Sequence, residues 1–255
     1  MIVLGLDTAT RATAVALMLD GGEVLRARDD PPPGEHPGHA TGLLAMAGGL
    51  LAAAGVPWRS VERIAVGLGP GTFTGLRVGV ATARGLAQSL SIELVGVSSS
   101  LALATAALAA PTGERDAPPD GRALAVIDAR RGEVFAAAYR AGGAKPPAEL
   151  VSPRPVPPDR LGGVITLAEE HGGGADAWRA VGDGAVRYRA EIESLGVSIP
   201  DDSSHVHLLD AGTICELGLR ERPVAAYEQI LPDYRRRPDA ELALETAASG
   251  GGGDP

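Results

Sequence analysis

The sequence predicts an α/β fold built twice over, as two tandem β-β-β-α-β-α-β halves. Three observations carry that expectation. Short apolar strands alternate with helix-length apolar runs. The order of elements recurs after a Pro/Gly-rich break. The stretch GLDTATRATAVAL in the first half matches VIDARRGEVFAAAY in the second, each an apolar strand reaching an Asp (Asp7, Asp128), a short turn and a returning strand.

In the first half, apolar alternation places strands at about Ile2 to Leu6, Ala12 to Leu19 and Glu23 to Arg28, with turns at Asp7 to Arg11 and Asp20-Gly21-Gly22. The Pro/Gly-rich DDPPPGEHPGH leads into a helix of about His39 to Ala54. A strand at Ile64 to Gly67, a helix at about Gly75 to Leu90, a strand at Glu93 to Val97 and a helix at Ser99 to Leu108 complete the half. PTGERDAPPDG, Pro111 to Gly121, has no apolar period and reads as a linker.

The second half repeats the order. Strands fall at Ala123 to Ile127, Glu133 to Tyr139 and Glu149 to Ser152, then a helix near Pro158 to Glu170. A strand near Ala180 to Gly182, a helix from Ala185 to Ser194 and a strand to Ile199 close it. A final helix spans about Val206 to Arg220, and the tail after Pro238 ends in SGGGGDP, a composition of disorder. Such a doubled unit is the pattern of the actin-like (ribonuclease-H-like) superfamily. The expected division is residues 1–110 plus 204–222, residues 111–203, and a largely extended or disordered tail, 223–255.

Composition agrees with a globular chain of 255 residues, 45% hydrophobic and 22% charged. Aromatics make up only 3%, so Ala, Val, Leu and Ile must fill the core. A net charge of −9 argues against a free-standing nucleic-acid binder, the run Arg235-Arg236-Arg237 being the best local basic candidate. Lys145 is the only lysine beside 22 arginines, which reads as base-composition bias. The lone Cys215 excludes an internal disulfide and a cysteine-based zinc site, and reads as a small core residue. Met1 to Leu6 is too short an apolar run for a signal peptide or a membrane span, so a cytoplasmic protein is expected.

Gly67 to Ala87, GLGPGTFTGLRVGVATARGLA, asks whether it cradles phosphate. A Walker loop requires a lysine, and none is near. A dinucleotide fingerprint requires glycine at the fifth offset, where Thr72 and Thr74 stand. What remains is a strand-loop-helix corner whose glycines allow close backbone approach. Gly75, Gly79, Ala83 and Ala87 then recur on one helical face, and the preceding helix offers Leu43, Leu44, Ala47, Leu50, Leu51 and Ala54 at helical spacing. Either these helices cover their own sheet, or part of the paired surface is a subunit interface. The expected partner interface comprises Leu43, Leu44, Ala47, Leu50, Leu51, Gly75, Gly79, Ala83 and Ala87.

LDTAT, then the glycine corner, GVSS, IDARRGEVFAAAY and VGDGA in order resemble the bacterial TsaB (YeaZ) family, from about Ile2 to Gly184. QILPDYRRR is similar to that family's closing segment, departing from it where Arg235 follows Tyr234 in place of the usual Leu. The resemblance implies an actin-like fold and a scaffold role in forming threonylcarbamoyl-adenosine at position 37 of tRNA. It implies binding to the catalytic paralogue TsaD and the ATPase TsaE, and self-association. It also implies no transfer chemistry and no cofactor in this chain, with ATP entering only at the level of the complex and tRNA contacted through it.

The residues allow an independent check. In the catalytic paralogue a His-x-x-x-His pair follows the same Gly-Val; here those positions are Ser99 and Leu103, neither able to replace imidazole on a metal. Asp210 resembles the paralogue's carboxylate ligand, but without the pair it reads as a helix N-cap or first-turn acid. His36 and His39 in EHPGH read as a solvated loop starting a helix, against a metal site. His205 and His207 in DDSSHVH, with Asp201 and Asp202, form a metal set only if extended. The rival function is an independent actin-like ATPase or kinase using Asp7 and Asp128. In it Asp7-Thr8-Ala9-Thr10 would contact nucleotide, but Asp128-Ala129-Arg130-Arg131 puts two bulky arginines where glycine would admit phosphate. No Ser-His-Asp or Cys-His set for a peptidase is legible.

Overall fold

The structure, a computed structural model, describes residues 1–32, 34–35, 37–109, 121–143, 145–172 and 178–235. His36, Arg236, Arg237, most of the expected linker and the tail beyond Pro238 lie outside the described residues.

Strands β1 (Val3–Asp7), β2 (Thr13–Met18) and β3 (Val24–Asp29) form an antiparallel meander. Helix α1 (His39–Ala53) then leads through a short 3-10 turn to β4 (Arg63–Gly67). Helix α2 (Phe73–Leu90), β5 (Glu93–Val97) and α3 (Ser99–Ala109) follow. The five strands make one mixed sheet in the order β3-β2-β1-β4-β5, with β1, β4 and β5 parallel. The peptide Gly69–Pro70 is cis.

In the second half β6 (Arg122–Arg130), β7 (Glu133–Arg140) and β8 (Ala148–Val156) repeat the meander. Pro153 and Pro155 are tolerated because β8 is an edge strand, and the pairing shifts register across Pro153. Helix α4 (Leu161–Gly172) and β9 (Trp178–Val181) complete a four-stranded sheet, β8-β7-β6-β9.

The second half departs from the expected repeat in two places. Its last strand shrinks to a single bridge, Arg179 to Ser198, because Gly196 turns the chain at φ 77° and Pro200 has no N–H to continue a ladder. The expected helix from Ala185 to Ser194 is two short ones, α5 (Asp183–Arg187) and α6 (Arg189–Glu193). The break falls at Tyr188, and Arg189 turns away to the carbonyls of Ile199 and Pro200. The last expected helix is also shorter. A 3-10 turn at His205–His207 precedes α7 (Ala211–Gly218), because extended Asp210 caps the helix and fixes its start.

Helices α1 and α2 cover one face of the five-stranded sheet, packing Leu43, Ala47, Val80 and Ala83 on Leu4, Leu6, Val15 and Leu17. Helix α7 covers the other, and α3 packs against α7 and against β6 of the second sheet. Glycine allows the close layers there: a Cβ on Gly5 would strike the Ala211 carbonyl oxygen and Cys215 Sγ. That core runs on through α3 into Ala123, Ala125, Ile127 and Phe135, so the two sheets share it. Cys215 is buried there as a core residue, its thiol pushed up to about 12 by burial. Arg63 closes the back of α7, donating to the Gly218 carbonyl at 2.7 Å while paired with Glu93. Among the described residues no helix is long and apolar enough to cross a membrane.

Candidate functional site

The glycine corner is a socket for the turn after β1. Asp7 is 1% exposed. Its Oδ1 accepts from the Ala9 N–H at 2.8 Å and its Oδ2 from the Ser99 hydroxyl at 2.6 Å. Thr8 donates its hydroxyl to the Gly75 carbonyl at 2.7 Å, and Thr72 N–H donates to the Ala9 carbonyl at 2.7 Å. Each glycine facing this turn is required by contact: a Cβ on Gly67 would enter the Asp7 carboxylate, on Gly71 the Ala9 backbone, on Gly75 the Thr8 carbonyl, on Gly79 the Thr8 hydroxyl. Burial pushes the Asp7 carboxyl above its ordinary value, against the pull of Ser99, Ala9 and Arg28. Both Asp7 oxygens, the Thr8 hydroxyl and the Ala9 carbonyl thus have partners within the chain. Thr10, half-buried, accepts from the Ala12 N–H within the turn.

The matching turn of the second half is held by arginines. Asp128 Oδ1 accepts from the Arg130 N–H at 2.9 Å and Oδ2 from Arg187 at 2.9 Å, with Arg130 3.3 Å from the same oxygen. Asp128 N–H donates to Asp183, whose carboxyl burial pushes up. Arg130 and Arg131 adopt φ of 65° and 55°, the left-handed region that side chains of this size rarely occupy. Both candidate metal-positioning carboxylates are therefore already engaged.

The other candidates sort cleanly. Ser99 is fully buried and its Oγ also accepts from the Gly69 N–H at 3.1 Å; Leu103 is core. Asp210 caps α7, accepting from Gly212 and Thr213 N–H at 3.1 Å each. Burial pushes its carboxyl up, but Arg26 and these amides outweigh it and hold it below the ordinary range. His39 does start α1, yet it is not solvated: at 4% exposure its Nδ1 lies 2.8 Å from the Thr13 hydroxyl, and burial lowers its pKa. His207 is buried, Nδ1 facing the Gly182 N–H and Nε2 the Pro200 carbonyl. Among the described residues no group of three or more His, Cys, Asp or Glu could hold a metal.

The expected partner interface needs correction. Leu43, Ala47, Leu50, Leu51, Gly75, Gly79, Ala83 and Ala87 are all buried in the chain's own core, because that stripe faces the sheet and the turn at residues 7 to 9. Of the expected set only Leu44 is exposed, at 48%. The outward side of the two helices carries Thr41, Leu44, Ala45, Gly49 and Ala52 on α1, and Ala81, Gly85 and Gln88 on α2. Nothing in the spacing distinguishes the two sides, since α1 is apolar or small all round.

One functional neighbour was not legible as structure. Residues 224 to 235, part of the segment expected to be largely extended or disordered, form a strap with a 3-10 turn at Tyr227–Gln229 that is packed down: Val224 N–H donates to the Leu94 carbonyl, the Tyr227 hydroxyl to Ile92, and Asp233 N–H to Leu68. Ile230 is buried. Tyr234 stacks 5.1 Å from Phe73 and accepts from Arg77, whose guanidinium lies 3.8 Å over the Phe73 ring. The spacing Val224, Tyr227, Ile230 is the signal that this segment has an inward side. Arg235 is paired with Asp233.

Comparison with known proteins points one way. The model of the family described as TsaD, tRNA N6-adenosine threonylcarbamoyltransferase, matches residues 32–149. The Escherichia coli tRNA threonylcarbamoyladenosine biosynthesis protein TsaB is 36% identical over 140 residues, 55% of this chain and 55% of that one. The chain thus spans about half the length of the curated relatives it matches. The solved structure of YeaZ from Pseudomonas aeruginosa is 32% identical at a TM-score of 0.72, covering 91% of this chain and 99% of that chain. A second structure, described as an uncharacterized protein similar to peptidase YEAZ from the same organism, gives 32% identity and 0.72 over 92% and 99%.

Proposed function

This chain belongs to the TsaB (YeaZ) family, and on that premise we propose that it is the scaffold and activating subunit for forming N6-threonylcarbamoyl-adenosine at position 37 of tRNA. In this reading it makes no transfer chemistry itself. It binds a TsaD-like catalytic paralogue and, with it, a TsaE-like ATPase, self-associates when free, and meets tRNA through the complex.

The observation that carries the proposal is the fate of Ser99 and Leu103. Where the paralogue has its histidine pair, this chain uses a hydroxyl to tie Asp7 to the glycine corner and a leucine to fill the core. The engaged state of Asp7 and Asp128 supports the same reading over an independent ATPase, since a metal would have to displace Ser99 from one carboxylate and Arg187 from the other. ATP in this reading acts in the complex. The partner surface is the outward side of α1 and α2, centred on Leu44, in place of the buried stripe.

Reconstituting tRNA modification from purified components with and without this chain tests the proposal. Modification is expected only with the chain present, and the pure chain is expected to turn over no ATP with magnesium. Magnesium-dependent ATP turnover by the chain alone, lost in Asp7→Ala, would overturn it.

A further inference from the structure

Helices α1 and α2 are free of acid. Neither holds an Asp or Glu over its 15 and 18 residues, in a chain with 32 acidic residues among 255, and between Glu35 and Glu93 the only carboxylate is Glu62. Their outward side carries Leu44, Ala45, Ala81 and Gly85, with Arg77 exposed and Arg84 half-buried on one side of α2. Two turns of helix set those arginine positions about 10 Å apart. Neither forms a salt bridge among the described residues. Arg77 is held instead by neutral groups, its Nε donating to the Tyr234 hydroxyl at 2.9 Å and its guanidinium lying 3.8 Å over the Phe73 ring. Of the strap acids, Asp233 is taken by Arg235, and Glu228 pairs with neither arginine. On a chain of net charge −9, such an apolar and positive face is complementary to a segment that is acidic and apolar.

The sequence carries such a segment directly after the strap. Tyr234 lies against Phe73 and Arg77, so the chain passes Arg235 at the first turn of α2, on the border of this face. Residues 239–245 then read DAELALE, with carboxylates at Asp239, Glu241 and Glu245 about Leu242 and Leu244. Arg236 and Arg237 share the charge of Arg77, which directs the acids past it toward Arg84. The four residues from Arg235 to Asp239 reach up to about 14 Å, enough for the roughly 10 Å between the two arginine positions. Leu242 stands seven residues out, a reach of up to about 24 Å, enough to cross α2 to Leu44 on a helix about 8–10 Å away. Surface ion pairs are weak singly, but a tether this short holds the segment at about millimolar effective concentration, so weak contacts suffice. The same face of a second copy brings no carboxylate and sets arginine against arginine.

We propose that the segment Asp239 to Glu245 docks on the outward side of α1 and α2, its carboxylates toward Arg84 and Arg77 and its leucines toward Leu44. The tail then covers the face proposed for the catalytic paralogue and competes for it. That competition rests on the proposed function, and the docking does not.

Paramagnetic relaxation in the full chain tests the docking. A nitroxide on Ala248→Cys is expected to broaden the amides of Leu44, Ala45, Ala81 and Gly85, buried Cys215 staying unlabelled. The broadening should fall about two-fold or more at about 0.5 M salt, and equally in a Glu241→Lys/Glu245→Lys variant, which leaves residues 1–235 unchanged. Absent broadening, or broadening that neither change reduces, overturns the proposal. Broadening carried to an unlabelled chain mixed with the labelled one assigns the face to a second copy and overturns it as well. Association with the catalytic paralogue should tighten about three-fold or more in the same variant, because the face is freed. Unchanged association beside clear broadening in the parent supports the docking and overturns the competition alone. No association of either parent or variant with the paralogue counts against the tRNA-modification reading and leaves the docking to the relaxation result.

Discussion

Asp7 and Asp128 occupy the same place in the two halves and close the same turn. Asp7 Oδ1 accepts from the N–H two residues on at 2.8 Å, Asp128 Oδ1 from its counterpart at 2.9 Å. Their second oxygens diverge: one goes to a buried serine hydroxyl, the other to an arginine on α5. A shared backbone device thus survives in both halves while its surroundings differ.

The Asp7 turn fits its socket only because the corner is glycine. Gly79→Ala places a methyl group against the Thr8 hydroxyl, which is itself fixed on the Gly75 carbonyl. A loss of about 1–3 kcal/mol is expected from such overpacking. Urea unfolding measures it, and a variant as stable as the parent contradicts the packing described.

Leu44→Arg should behave in the opposite way. The side chain is half exposed and outside the core, so stability should change by no more than about 0.5 kcal/mol. Association with the catalytic paralogue should be lost. Pull-down with thermal unfolding on the same sample separates the two effects, and retained association moves the partner surface elsewhere.

Burial raises the carboxyls of both Asp7 and Asp183 above the 3.8 expected of an unfolded chain. The folded protein therefore holds protons that the unfolded chain has released. The stability these groups contribute is fully present below 3.8 and declines as pH rises through their raised folded values. Asp7→Asn removes one such group, so its melting temperature relative to the parent should climb with pH over that window. A constant difference between the two melting curves from pH 3 upward, about the unfolded pKa, removes Asp7 from the account.

The strap contributes to the fold of the first half. Ile230→Ala empties a buried position against the α1 and α2 core and should cost about 2–5 kcal/mol. Tyr227→Phe should cost about 1 kcal/mol, the hydroxyl bond to Ile92. Both are read from denaturant midpoints, and two unchanged midpoints mean that residues 224 to 235 do not hold the sheet.

Much of this protein was legible in its residues. Alternating and continuous apolar runs located β1 to β7 within a residue or two at most ends, and the helical apolar spacing located α1, α2 and α3. The doubled Asp-turn-strand pattern disclosed the two halves, and Asp210 read as a cap is one. The second half was less legible where Gly196, Pro200 and the Tyr188 break left too few periodic residues to mark a strand or one continuous helix.

What the sequence determined by itself was element type, order, repetition and family, since these are written in local spacing and in motifs that stand in register. Tertiary structure alone decided which side of α1 and α2 faces inward, that the glycine corner receives the turn after β1, and that residues 224 to 235 pack down onto the first half. The physical reason is separation along the chain: Thr8 meets Gly75 across 67 residues and Asp7 meets Ser99 across 92. No local period encodes such meetings; only the packed layers bring them within hydrogen-bond reach.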